Sequence, residues 1–264
     1  MCTVVILRRP GHDWPLLLAA NRDEMADRPW LPPGRHWPDR KNVVAGLDRL
    51  GGGSWLGIND EGVVAGVLNR EDSLGPEAGK RSRGELVLEA LDHADAALAA
   101  EALADLDPLS YRSFNLVVAD NRDAYWLRSL GAEGPGRIEV EAIPAGLSMV
   151  TALDRNDPGS ARIRAYLPRF EAAPAPDPGA PADSGWAPWE KLMASRVFDA
   201  NGGDRGERGP EGAMTIVTST GFGTVSSSMI ALPAAREPAR KPVWRFAPSR
   251  PGEAPYQTID FAGG

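Results

Sequence analysis

Cysteine is almost absent from this chain: 264 residues contain one, Cys2. That excludes a disulfide framework within the chain, and a lone thiol fits a reducing compartment such as the cytoplasm. Histidine is scarce as well, limited to His12, His36 and His93. His12 falls in the turn Gly11-His12-Asp13, His36 in a Pro/Gly-rich loop and His93 in an Ala-rich stretch with helical spacing. None shares a motif with Cys2, and one cysteine with scattered histidines does not make a structural zinc site, so no metal and no cofactor are expected. Long basic tracts are missing; the net charge is -7 and the pI about 5.1, which gives no sign of a nucleic-acid groove. Long apolar runs are missing too. Thr3–Leu7 is too short for the core of a signal peptide and is followed by Arg8, Arg9 and Pro10. No stretch reaches the length of a membrane span, so the expected location is cytoplasmic.

What is present suits a globular protein: 42% hydrophobic residues and 25% charged, enough for a sizeable core. Thr3–Leu7 and Pro15–Ala20 read as two apolar strands joined by a turn, a hairpin that brings Asn21-Arg22-Asp23-Glu24, at the strand end, near the chain start. Gly52–Ile58 begins a third strand, Asn59-Asp60-Glu61-Gly62 is a turn, and Val63–Leu68 a fourth strand ending at Asn69. From Ser82 to Asp105 the apolar residues recur at helical spacing, and Ser82-Arg83-Gly84-Glu85 has the spacing of a capping box. Strands return at Phe114–Ala119 and Ala124–Leu130, with a second Asn-Arg-Asp, residues 121–123, as their hairpin turn. Ala161–Phe170 reads as a short basic helix, 173–188 as an irregular loop, Trp189–Ala200 as a helix and 201–212 as a polar, Gly-rich loop. Strands close the chain at Met214–Thr218, Ser226–Leu232, Pro242–Phe246 and Tyr256–Phe261. Strands, helices, strands, helix, strands is an α+β order without steady βαβ alternation. Residues 1–264 read as one domain.

Cys2 follows Met1 directly. Removal of Met1 would leave a thiol and a free α-amine on one residue. Such an amine titrates at about 7.7–8.0 and can take the thiol proton, a nucleophile and base in one unit. The plainer alternative is that Cys2 is a small buried hydrophobe at the start of a strand.

Met1-Cys2 before a strand, followed by Leu18-Ala19-Ala20-Asn21-Arg22-Asp23-Glu24, resembles the NRDE family, which includes the eukaryotic transport and Golgi organization protein 2. Gly53-Ser54-Trp55-Leu56-Gly57-Ile58, Arg83-Gly84-Glu85-Leu86, Phe114–Asp120, Gly146-Leu147-Ser148 and Gly221-Phe222-Gly223-Thr224 also match, in the family's order. A more distant resemblance joins the chain to N-terminal nucleophile hydrolases of the choloylglycine hydrolase and penicillin V acylase type, through Met1-Cys2-Thr3 and Asn21-x-Asp23. That resemblance implies a four-layer αββα sandwich with Cys2 as nucleophile. It implies that Asp23 holds the Cys2 amine and that Asn69 lends an N–H to the oxyanion. Arg22 would lower the thiol pKa or hold an anionic group, and Asn21 and Glu24 would contact substrate. The alternatives are a solvated charged turn at Arg22–Glu24 and a hairpin-ending turn residue at Asn69.

The chain also departs from the hydrolases. Where they have a Thr-Asn-Asn segment supplying another oxyanion donor, it reads Ser148-Met149-Val150-Thr151-Ala152. Their late Arg has no clear counterpart near Gly221–Thr224, and Ala20 stands where they place an early Arg. Two functions follow. One is an amidohydrolase, or acyltransferase, working on a non-peptide C–N amide through an acyl-enzyme on Cys2. The other is a carrier or homeostasis protein of the NRDE type, handling haem or an acyl-CoA or lipid. Cys2, His12, His36 or Met25 would serve as a haem ligand, and Trp30, Trp37 and Trp55 would line an apolar cleft, the alternative being that they pack in the core. The partner in either case is a small-molecule amide, acyl or haem-like ligand.

Overall fold

A computed structural model describes residues 2–181, 184–198 and 209–261. Among them lie thirteen strands and four α-helices. In chain order these are β1 (Thr3–Arg8), β2 (Leu16–Met25), β3 (Trp30–Gly34), β4 (Val43–Asp48), β5 (Leu56–Asn59), β6 (Val64–Asn69), α1 (Gly84–Leu91) and α2 (Ala96–Ala104). Then come β7 (Phe114–Ala119), β8 (Ala124–Ser129), β9 (Glu139–Ala142), β10 (Gly146–Val150), α3 (Ala161–Ala172), α4 (Ala187–Met193), β11 (Phe222–Leu232), β12 (Val243–Ala247) and β13 (Gln257–Thr258). Every ladder is antiparallel, which fits the α+β class. The chain folds into two compact units. One comprises Met1–Arg28, Ala145–Pro233 and Glu237–Thr258; the other comprises Pro29–Pro144, Ala234–Arg236 and Ile259–Gly264. Neither is a contiguous stretch of sequence.

The first unit is a six-stranded sheet in the order β10-β1-β2-β11-β12-β13. Alternation along β1 and β2 sends Val5, Leu17 and Ala19 to one face, where they meet Ile163, Tyr166 and Phe170 of α3 and Trp189 and Met193 of α4. Each large side chain removed from water here stabilises the unit by about 1.5–3 kcal/mol. The opposite parity, Ile6, Leu16 and Leu18, is buried as well, so Leu16–Ala20 reads as an unbroken apolar run. At the end of the helix-facing stripe the residue type changes. Thr3 pairs with Asn21, and Asp23 lies one step further along. A polar cluster is thereby carried into a buried layer.

The second unit is a seven-stranded sheet in the order β3-β4-β5-β6-β7-β8-β9, with α1 and α2 packed on one face through Leu86, Val87, Leu91, Ala99 and Leu103. Two of the family-like segments meet inside it. Gly53 lies so close to Gly84 that a Cβ on Gly53 would come within 2.3 Å of the Gly84 carbonyl carbon, and the Ser54 N–H donates to the Gly84 carbonyl at 3.0 Å. Glycine at both positions lets the start of α1 touch the backbone of the turn that leads into β5.

Several local expectations change. Asn21–Glu24 continues β2 instead of ending it. β3, β4, β9 and β10 have no counterpart in the sequence reading; β3 contains Pro32 and Pro33, tolerated because it is an edge strand. The cap position falls on Arg83, without a side-chain bond of its own; the Ser82 hydroxyl accepts from the Gly84 N–H at 3.3 Å, while Glu85 pairs with Arg81 at 2.8 Å and does not complete a capping box. His93 sits between α1 and α2, not within a helix. α4 begins at Ala187 with Pro188 in its first turn and ends at Met193, short of the expected Trp189–Ala200. Met214–Thr218 is not a strand, because its groups bond elsewhere: the Ile216 N–H goes to the Thr224 hydroxyl, and only Val217 forms a bridge, with Gly223. Met1, residues 182–183 of the 173–188 loop, Asp199 and Ala200 of the expected helix and residues 201–208 of the 201–212 loop lie outside the described residues.

Candidate active site

Cys2 precedes β1, and the Thr3–Asn21 register brings it beside Asp23. The Asp23 N–H donates to Cys2 Sγ at 3.4 Å, and the thiol points back at the Asp23 carbonyl at 3.7 Å. Cys2 is partly buried. Desolvation pushes its thiol above the ordinary value and the negative charge of Asp23 adds to this; the Asp23 N–H and the positive charge of Arg22 pull the other way. The resting group is therefore a neutral thiol, which needs a base before it can act as a nucleophile.

The Asp23 carboxylate is sealed from solvent, with 0% side-chain exposure, and the Arg162 side chain is 3% exposed. Arg162 Nη1 lies 3.1 Å from Asp23 Oδ2 and also donates to the Thr3 hydroxyl. The Thr224 hydroxyl donates to Asp23 Oδ1 at 2.6 Å from the opposing position on β11. Thr224 is fixed in turn by the Ile216 N–H, 2.8 Å from its hydroxyl, and by its own N–H to the Ile216 carbonyl at 3.0 Å. Gly223 permits this: a Cβ there would come within 2.7 Å of the Ile216 oxygen. The β2–β11 register shifts between Thr224 and Ser226, a bulge of the kind that re-aims side chains beside functional sites.

The other expected residues are arranged differently. Asn21 donates both amide hydrogens to main-chain carbonyls, of Met193 at 3.1 Å and Met214 at 2.8 Å, and is 1% exposed. Its amide therefore ties the end of α4 to the sheet. Arg22 is buried, with Nη2 3.9 Å from Glu24 Oε2, and Glu24 is half-buried and 3.5 Å from Arg28. Asn69 closes β6 opposite Phe114, half-buried, in the second unit. In the segment that lacks the hydrolase Asn, the Met149 N–H does meet an asparagine oxygen, that of Asn156 at 2.7 Å.

The structure thus brings Cys2, Arg22 and Asp23 together and adds Thr3, Arg162 and Thr224, which sequence reasoning missed. Arg162 carried a signal: it shares the spacing of the buried residues Tyr166 and Phe170, so a charged residue occupies the apolar stripe of α3. Among the described residues no three His, Cys, Asp or Glu side chains cluster to hold a metal, and no helix is long and apolar enough to cross a membrane.

This fold is that of the N-terminal nucleophile hydrolases. Similar solved structures include a Caenorhabditis elegans N-acylethanolamine-hydrolyzing acid amidase ortholog, with TM-score 0.54 and 12% identity, covering 86% of this chain and 92% of that one. Penicillin V acylase from Agrobacterium tumefaciens has TM-score 0.53 and 16% identity, covering 98% and 86%. A conjugated bile acid hydrolase from Clostridium perfringens has TM-score 0.53 and 12% identity, covering 100% and 95%. The family model described as Transport and Golgi organisation 2 matches residues 1–152, more than half of the chain, and the chain belongs to that family. It is 36% identical over 121 residues to the Bos taurus Transport and Golgi organization protein 2 homolog and 36% identical over 109 residues to the Homo sapiens one. Each match takes in 40% of this chain and 38% of the relative's length.

Proposed function

We propose that the protein is a cysteine N-terminal nucleophile hydrolase that cleaves a non-peptide C–N amide through an acyl-enzyme on Cys2. The observation that carries this reading is the thiol 3.4 Å from the Asp23 N–H, next to a carboxylate fixed by Arg162 and Thr224. Loss of Met1 frees the Cys2 amine. The amine takes the thiol proton, and Asp23 orients the resulting ammonium. Sulfur attacks the amide carbonyl, and N–H donors stabilise the oxyanion, contacts whose loss costs about 2.7–4 kcal/mol each in such sites. Collapse of the intermediate breaks the C–N bond as the ammonium returns its proton to the leaving amine. Water, or an acyl acceptor, then releases the acyl group. Arg22 supports the thiolate by its charge, and Glu24 contacts substrate. Asn21 we assign to holding α4. The relatives by fold support the class of substrate, since their names describe amide-cleaving enzymes acting on small molecules. Because neither unit is contiguous, we treat residues 1–264 as one domain, and the single thiol supports a cytoplasmic setting.

Intact mass and labelling test this. The expected result is loss of Met1, modification of Cys2 by an amide-mimicking electrophile, and turnover within a panel of small amides that Cys2→Ala abolishes. Retained Met1 on the mature protein would sink the amine-base mechanism. A second reading, a carrier that binds haem or an acyl-CoA or lipid without turnover, draws on the segment at 148–152. It holds no asparagine, and the oxygen of Asn156 is committed to the Met149 N–H. A carrier retains its ligand in Cys2→Ala, and a haem carrier develops a Soret band on titration.

A further inference from the structure

We propose that Arg162 is a positioning residue for Cys2, acting through Asp23 and Thr3 on either side of the nucleophile. The proposal rests on the reading of Cys2 as nucleophile and goes beyond it to a residue outside the motifs that suggested it.

Three observations carry it. First, Arg162 touches both neighbours of the thiol at once: it donates to the hydroxyl of Thr3, the residue that follows Cys2, and lies 3.1 Å from the carboxylate of Asp23, whose N–H contacts the sulfur. One planar guanidinium thereby fixes the start of β1 against β2 through two separate acceptors.

Second, Arg162 is in an unfavourable place for stability alone. It lies in the first turn of α3, where the helix dipole opposes a positive charge, and it is 2% exposed. Burying an ion pair is weak evidence of stabilisation, because desolvation offsets the attraction. Two apolar residues of similar size would seal that layer without this cost. Retention of a charge pair there fits a geometric task.

Third, the segment in which the chain departs from the hydrolases is what orients this helix. The Thr151 hydroxyl donates to the Ser160 hydroxyl at 3.3 Å, and Ser160 caps α3 by accepting from the Ile163 N–H at 3.4 Å. The stretch at 148–152 thus aims Arg162 at Asp23. Arg162 neutralises the carboxylate that otherwise opposes the thiolate, since Asp23 is among the charges that raise the Cys2 thiol.

Because Cys2 is the only cysteine, the pH dependence of iodoacetamide alkylation reports this thiol alone. The full chain would be compared with Arg162→Met, Asp23→Asn and the double variant, each checked for folding by circular dichroism. The expected result is a midpoint about one pH unit higher in Arg162→Met and no further shift on adding it to Asp23→Asn. An unmoved midpoint, or the same shift in the Asp23→Asn background, overturns the proposal. Should Arg162→Met fail to fold, Arg162→Lys keeps the charge but on a shorter side chain without the planar guanidinium that reaches both acceptors through Nη1; a smaller upward shift supports the clamp and a wild-type midpoint overturns it. Alkylation needs no turnover. A shifted midpoint in a protein without amidase activity therefore removes the proposed function alone, and an active amidase with an unmoved midpoint removes the clamp alone.

Discussion

The tripeptide Asn-Arg-Asp occurs twice, at 21–23 and 121–123, and the two copies have opposite fates. The first lies within β2, flanked by β1 and β11, with its residues 1%, 5% and 3% exposed. The second is a hairpin turn between β7 and β8, where Arg122 and Asp123 are exposed. The residues before them account for the difference. Asn21 follows the apolar run Leu16–Ala20, which continues as strand and takes Asn21 and Asp23 into the layer between sheet and helices, with Arg22 buried on the other face. Asn121 follows Asp120, whose carboxylate accepts from the Arg122 and Asp123 N–H groups at 2.7 and 2.8 Å and closes the turn. A motif letter has no chemistry of its own; burial and partners supply it.

Substitutions at matched positions would break or sharpen this contrast. The largest effect is expected for Asp23→Ala, which leaves Arg162 as a buried cation without its carboxylate, a loss of about 3–5 kcal/mol in urea unfolding. Asp123→Ala should stay within about 0.5 kcal/mol, and equal losses at the two sites would erase the distinction. Asn21→Ala removes the side-chain donor to the buried Met214 carbonyl and one of two to that of Met193, which keeps the Thr215 hydroxyl at 2.7 Å, and should cost about 1–3 kcal/mol, with Asn121→Ala near neutral by the same measurement. Asp120→Ala comes next. It removes the turn's acceptor and the bond from the Ala96 N–H at 3.0 Å near the start of α2, for about 1–2 kcal/mol of destabilisation read as a lower thermal midpoint. The smallest effect is on titration. The Cys2 thiol is raised in part by the charge of Asp23, so the neutral form persists to higher pH and alkylation lags that of an unperturbed cysteine. Removing that charge in Asp23→Asn should move the alkylation curve to lower pH, whereas Asp123→Asn should leave it in place.

Much of the candidate site was legible because it is local. Cys2, the hairpin after it and the polar end of the second strand lie within 24 residues, and the register of that one hairpin sets Thr3 beside Asn21. The hidden half comes from far along the chain: Arg162 reaches Asp23 across 139 positions and Thr224 across 201. No periodicity encodes such a meeting. The misjudged elements share a cause as well. Met214–Thr218 has the composition of a strand, but its backbone groups are taken by Ser195, Gly223 and Thr224, and β3 hides behind two prolines that only an edge position tolerates.

The sequence by itself determined the α+β order, the opening hairpin and the nucleophile candidate, because these follow from short-range periodicity and from one scarce residue type. The tertiary structure alone decided which polar groups became partners. It set the Asn21 amide on the Met193 and Met214 carbonyls, joined Gly53 to Gly84, and set an arginine from the apolar stripe of α3 on the carboxylate beside Cys2. The physical reason is that a buried charge or amide must find a partner wherever the fold offers one, and that choice depends on distance in space.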